Sequence, residues 1–193
     1  MQAPLGVDPP RQSTLRDRYL AGASFDELLD SVEKNVELWT AVWRHARVEE
    51  EYVRRVTALP GRWHLLVLSE DWCGDAVNTV PVLAKLVEST PNTDLRVLGR
   101  EANPDLMDSH LTGSSRSIPV VIVLDDAFEE RGWWGPRPTV LQHWASGQGQ
   151  LLEKTARYRE ARTWYARDRG RTTLEEVVSM MERAALADAE RAR

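Results

Sequence analysis

The 193-residue chain reads as an α/β fold, and three observations predict it. Two short apolar runs, "WHLLVLS" (63–69) and "IPVVIVLD" (118–125), the second rich in β-branched residues, have the length and composition of buried strands. Around and between them, apolar residues recur three and four apart behind capping signals, the mark of amphipathic helices. A hydrophobic content of 42% over this length supplies one substantial core, so the chain reads as one domain with extensions.

Taken in order, residues 1–13 hold three prolines and little periodicity and read as a loose arm. A helical extension then occupies 14–59. Ser24-Phe25-Asp26-Glu27 is a capping box, and Phe25, Leu28, Leu29, Val32, Val36, Trp39 and Trp43 behind it make one apolar helical face. A more charged helix follows over 48–58 and stops before Pro60-Gly61. The central unit, 60–152, opens with the strand at 63–69 and a helix from about Cys73 to Ser89, whose Val77, Val80, Leu83, Ala84 and Val87 face a core. "DLRVLGR" (94–100) reads as a strand, Asn103-Pro104 as the start of a short helix, and 118–125 as the most β-prone segment. Asp125-Asp126 supplies a turn to an antiparallel partner over 128–135, and a helix resumes after "GPRP". The C-terminal extension, 153–193, contains two helices parted at Gly170. The second opens at Thr172 or Thr173, presents Leu174, Val177, Val178, Met181 and Ala185, and frays over "ADAERAR".

Composition excludes several classes. Thirty acidic against 25 basic residues leave a net charge of −5 with the basic residues scattered, so neither nucleic acid nor an anionic membrane surface is an expected partner. No apolar run approaches the roughly 18 residues of a membrane span, and the N-terminus lacks a signal-like apolar stretch, which points to a cytoplasmic protein. One cysteine forms no internal disulfide. His45, His64, His110 and His143 stand apart, without ligand spacing, so no metal or other cofactor is expected. Trp63, Trp72, Trp133, Trp134 and Trp144 read as core packing.

The junction between the first strand and its helix is "SEDWCGDAVNTVP" (69–81), with Trp72-Cys73-Gly74 at its centre. Pro81 follows the cysteine by eight residues, and Ile118-Pro119 opens the later strand, a position where a sheet tolerates proline. Together with the order of elements, these residues resemble the thioredoxin superfamily. The longer strings "SEDWCGDA", "RSIPVVIVLD", "WGPRP" and "WYARDRG" resemble a poorly characterised bacterial group within it, over about 60–170. The resemblance implies a thioredoxin-like fold, a central mixed sheet flanked by helices, here with N- and C-terminal helical extensions. It implies Cys73 as nucleophile and Pro119 as the superfamily's cis-proline. It also implies a groove in which Trp72, Gly74, Ile118 and Pro119 hold a substrate, the backbone of Ile118 pairing with an extended peptide.

The site departs from the superfamily in two places. Ala76 stands where a resolving cysteine is usual, and Val67 where the resemblance calls for a buried acid six residues before the nucleophile. Attack on a disulfide survives these changes; internal resolution does not. At a helix start, unpaired N–H groups and the helix dipole favour the thiolate. Asp71 and Asp75 oppose that, and Arg116 assists it if its loop lies beside the sulfur, so the expectation is a moderately acidic thiol. Asp75 itself reads first as an N-terminal acid complementing the helix dipole. Three functions follow: monothiol exchange through Cys73 with a protein or low-molecular-weight thiol or disulfide as partner; a non-catalytic peptide-binding or protein-binding module; and a glutathione-transferase-like enzyme. Helices on both sides of the central unit count against the last.

Overall fold

The computed structural model describes residues 14–191. The expected arm at 1–13 lies outside them. Four strands form one mixed sheet in the order β2-β1-β3-β4. β1 (Trp63–Ser69) runs parallel to β2 (Thr93–Gly99) and antiparallel to β3 (Val120–Leu124), which pairs antiparallel with β4 (Glu130–Trp134). Every residue of β1 and β3 is buried, as the apolar runs predict for the two central strands. β2 alternates buried and half-buried positions instead, the pattern of a strand covered on one face.

The helices follow from local signals. Thr14 and Ser24 each close a capping box at the start of α1 (Leu15–Ala21) and α2 (Phe25–Ser31). α3 (Val36–His45) and α4 (Glu50–Thr57) precede β1. α5 (Ala76–Glu88) carries Pro81 inside it, and α6 (Pro104–Asp108) starts on its proline. α7 (Thr139–Ser146), a short 3-10 turn (Gln148–Leu151), α8 (Lys154–Asp168) and α9 (Arg171–Arg191) complete the chain.

Three expectations change. The apolar face from Phe25 to Trp43 belongs to two helices, because the backbone breaks at Val32 and passes through a left-handed Asn35 (φ 55°) before α3. α9 begins at Arg171, one residue early, with the Asp168 carboxylate accepting the Thr172 N–H at 3.2 Å. It stays helical to Arg191, through residues where fraying is expected.

One core joins all the layers. Tyr19, Phe25, Trp39 and Val56 from the N-terminal helices, the central strands, and Leu174, Val177, Val178 and Met181 of α9 belong to the same buried cluster. α9 lies against α4, α5 and β4. Arg55 of α4 ties that contact at the surface, reaching Glu175 at 2.7 Å, Glu182 at 2.8 Å and the Ser179 hydroxyl at 3.0 Å. On the opposite edge, Ala23 exchanges two backbone hydrogen bonds with Val97 of β2, at 2.9 and 2.8 Å, which covers a strand edge that would otherwise invite pairing.

Candidate active site around Cys73

β1 ends at Ser69, and residues 70–75 turn the chain into α5. That turn is held from the N-terminal side. The Asp71 carboxylate accepts from the backbone N–H groups of Glu33 (3.1 Å) and Lys34 (2.9 Å), while the Asp71 carbonyl accepts from the Asn35 amide (3.1 Å) and the Trp39 indole (3.0 Å). The break between α2 and α3 therefore has a use: it presents donors to the segment leading into Cys73. Engaged in this way, Asp71 is directed at the α2–α3 break.

Cys73 is only 6% exposed. Its Sγ donates to the carbonyl of Ile118 at 3.3 Å and accepts from the Ala76 N–H at 3.4 Å. The Ile118–Pro119 peptide bond is cis, and Ile118 is buried against the sulfur. Trp72 beside it is 44% exposed, with the Arg100 guanidinium 5.1 Å from its ring centre, so this tryptophan belongs to the surface and not to the core. A Cβ built on Gly74 would meet nothing within 4 Å, leaving open space next to the thiol. Trp72, Cys73, Gly74, Ile118 and Pro119 thus come together at one end of the sheet.

Arg116 does not join them. Its guanidinium grips Asp108 with two hydrogen bonds of 2.6 Å at the protein surface. The cation in the field of the sulfur is Arg137, from the loop between β4 and α7. Its Nη2 lies 2.6 Å from the Asp75 carboxylate, and its Nη1 donates to the Gln142 side chain at 2.9 Å. The other Asp75 oxygen accepts from the Tyr165 hydroxyl at 2.9 Å. Asp75 occupies the N-cap of α5, yet its side chain caps no backbone N–H; it serves Arg137 and Tyr165 instead.

The Arg137 loop is itself fixed to the cis-proline segment. The Gly135–Pro136 bond is the second cis peptide among the described residues. A Cβ on Gly135 would fall 2.1 Å from the Pro119 carbonyl oxygen, and its φ is +137°, so both contact and conformation require glycine. Glu176 of α9 holds the flanks of the loop, accepting from the Trp134 indole (2.6 Å) and the Thr139 N–H (2.8 Å).

Burial pushes the Cys73 thiol up from its ordinary value; the Ala76 N–H opposes this, the Asp75 charge adds to it, and Arg137 draws it down. The moderately acidic thiol expected from the helix start, its flanking acids and Arg116 is therefore corrected, because desolvation outweighs the donors at the helix start. Burial likewise raises Asp75, against the pull of Arg137, and raises Tyr165. Among the described residues, no group of three or more His, Cys, Asp or Glu side chains gathers at metal-ligand spacing.

A sequence-family profile described as Thioredoxin matches residues 22–158. The chain belongs to the thioredoxin family. Among solved structures, it is similar to a protein of unknown function from Pseudomonas aeruginosa, at 19% identity and a TM-score of 0.73, covering 90% of this chain and 99% of that one. An HIV epitope scaffold aligns at 18% identity and a TM-score of 0.69, with 88% and 98% covered. Both likenesses are of fold. No curated protein matches the sequence. The thioredoxin profile stops short of Tyr165, the residue that completes the polar cluster beside the thiol.

Proposed function

We propose that this thioredoxin-family protein exchanges disulfides through a single thiol, Cys73, with an external thiol completing the cycle. The observation that carries the reading is the position of Sγ, at the start of α5 and 3.3 Å from the Ile118 carbonyl beside Pro119, next to exposed Trp72 and to the open space at Gly74. In the first step the Cys73 thiolate attacks one sulfur of a disulfide, forming a mixed disulfide and releasing the other sulfur as thiolate. In the second, an external thiolate attacks the partner's sulfur of the mixed disulfide, leaves as a new disulfide with it, and returns Cys73 as thiolate. In sum the external thiol takes the place of one half of the original disulfide, that half leaves as thiolate, and Cys73 ends unchanged.

The partners on this reading are a protein or low-molecular-weight thiol or disulfide, recognised without nucleic acid or membrane. No helix among the described residues is long and apolar enough to cross a membrane. A cytoplasmic setting suits the proposal, because that compartment supplies reducing thiols in excess.

A second reading, a peptide-binding or protein-binding module, is favoured by the burial that raises Cys73 and by Ala76 in the resolving position. One experiment separates the two. Treatment with glutathione disulfide is expected to leave a glutathione adduct on Cys73 by mass spectrometry, removed by dithiothreitol. A folded protein whose thiol stays unmodified through hours of treatment overturns exchange and leaves the binding module.

A further inference from the structure

Asp75, Arg137 and Tyr165 form a partly buried polar cluster that the exchange chemistry described above does not use. Asp75 comes from the helix bearing the thiol, Arg137 from the loop after β4, and Tyr165 from α8. Arg137 has a carboxylate on one Nη and the Gln142 oxygen on the other, which fixes its plane. Its loop is tied to the cis-proline segment and to α9, since Gly135 abuts the Pro119 carbonyl and Glu176 holds Trp134 and Thr139. The other charged groups nearby are committed elsewhere. Asp71 faces the α2–α3 break, Arg116 holds Asp108, Glu70 accepts the Glu101 N–H at 3.0 Å, and Arg100 lies over the outer side chain of Trp72 and donates to the Arg116 carbonyl.

We propose that Arg137 is the counter-charge for the Cys73 sulfur whenever that sulfur is negative, and that Asp75 is a positioning residue which holds the guanidinium in place while limiting the charge the sulfur receives. The inference rests on the exchange reading. A sulfur removed from water needs a fixed positive partner to carry negative charge during attack and release. A guanidinium stays charged through the whole working range of pH and, clamped on two sides, does not reorganise as the charge appears. The Asp75 carboxylate offsets much of that charge, which favours the protonated thiol at rest, and the thiolate that attacks forms by losing its proton to solvent. The pair works as a restraint on the lone cysteine.

The test is the pH dependence of Cys73 alkylation by iodoacetamide, a single-site readout in a chain with one cysteine. Relative to wild type, Arg137→Gln raises the midpoint and Asp75→Asn lowers it, each by about one pH unit, the lower end of what a neighbouring charge does to a titrating group. Arg137→Lys restores the midpoint at least halfway. Midpoints unchanged in folded Arg137→Gln and Asp75→Asn overturn the proposal, since a purely structural role leaves the profile in place. If either variant fails to fold, the wild type carries the test: the side-chain nitrogen resonances of Arg137 shift through the same inflection as the Cys73 Cβ resonance. A flat Arg137 signal across that inflection overturns it. Failure here is distinct from failure of the exchange reading, which shows as a missing glutathione adduct whatever the midpoint.

Discussion

The backbone N–H of Ala76 points at the Cys73 sulfur from 3.4 Å, and the residue is fully buried. A thiol placed at this position stands one helical turn from the nucleophile, where it can attack a mixed disulfide from within. Ala76→Cys is therefore expected to change the product of glutathione disulfide treatment from a lasting adduct to an internal disulfide two hydrogens lighter than the reduced protein. Released glutathione thiolate accounts for the remaining sulfur. Intact-mass spectrometry reads the difference, and a persistent adduct in the variant counters this account of the site. The added sulfur enters a packed position, with an expected stability cost of about 1–3 kcal/mol. At the same scale, Asp75 shows what local reasoning omits: its place before a helix suggests dipole compensation, but its carboxylate goes to partners 62 and 90 residues away.

Among the elements, α8 has an unusual attachment. Tyr165 is its one buried side chain, and the Tyr165 hydroxyl reaches Asp75 beside the thiol. The helix otherwise leans on α7, and beyond it Gly170 passes close to Val82 of α5. A hydrogen bond from a buried hydroxyl to a carboxylate contributes about 1.5–3 kcal/mol. Tyr165→Phe is expected to lower global stability by about 2 kcal/mol in urea denaturation and to speed amide exchange in α8 more than in α5. Equal protection of α8 in variant and wild type would show that the helix docks by other contacts. The sequence string "WYARDRG" marks this segment as polar; its tyrosine has no local feature that distinguishes it from a surface residue.

Across the whole molecule, a second buried polar link ties the segment after β2 to β4. His110 is 3% exposed; its Nδ1 lies 2.7 Å from the Leu106 carbonyl and its Nε2 3.2 Å from the Glu130 carboxylate. These two are acceptors, and the Ser109 hydroxyl 3.1 Å from Nδ1 gives its proton to the Leu106 carbonyl at 2.8 Å, so both ring nitrogens donate and the imidazolium is the matched form. Burial alone would lower this histidine, but the Glu130 hydrogen bond, the Leu106 carbonyl and the Glu130 charge together raise it above 6.5. A raised folded value means that its stabilisation is complete below the unfolded value and is lost as pH rises through the folded one. The melting temperature of wild type is thus expected to exceed that of Glu130→Gln most clearly below about pH 6, with the gap closing as pH rises past His110's own titration. A gap independent of pH would refute the link.

The fold was legible because strand and helix periodicities are local, and residues such as Val120–Leu124 carry their burial in their composition. The α2–α3 break was hidden because Val32 and Val36 keep helical spacing across it, and only Asp71, far along the chain, supplies the reason for it. That residues 72–74 and 118–119 lie together is legible from the resemblance. Arg137, Gln142 and Tyr165 were not, because their roles arise from contacts across the fold.

The ties on Asp71 and Asp75 also set an order in time. Residues 33–39 that hold the turn before Cys73 leave the ribosome ahead of it, whereas Ile118, Arg137 and Tyr165 emerge 45, 64 and 92 residues after it. The nascent chain therefore has its thiol turn anchored early and its charge restraint late. On the proposal above, Cys73 lacks its counter-charge until Arg137 has emerged, and Tyr165 joins Asp75 only when α8 follows.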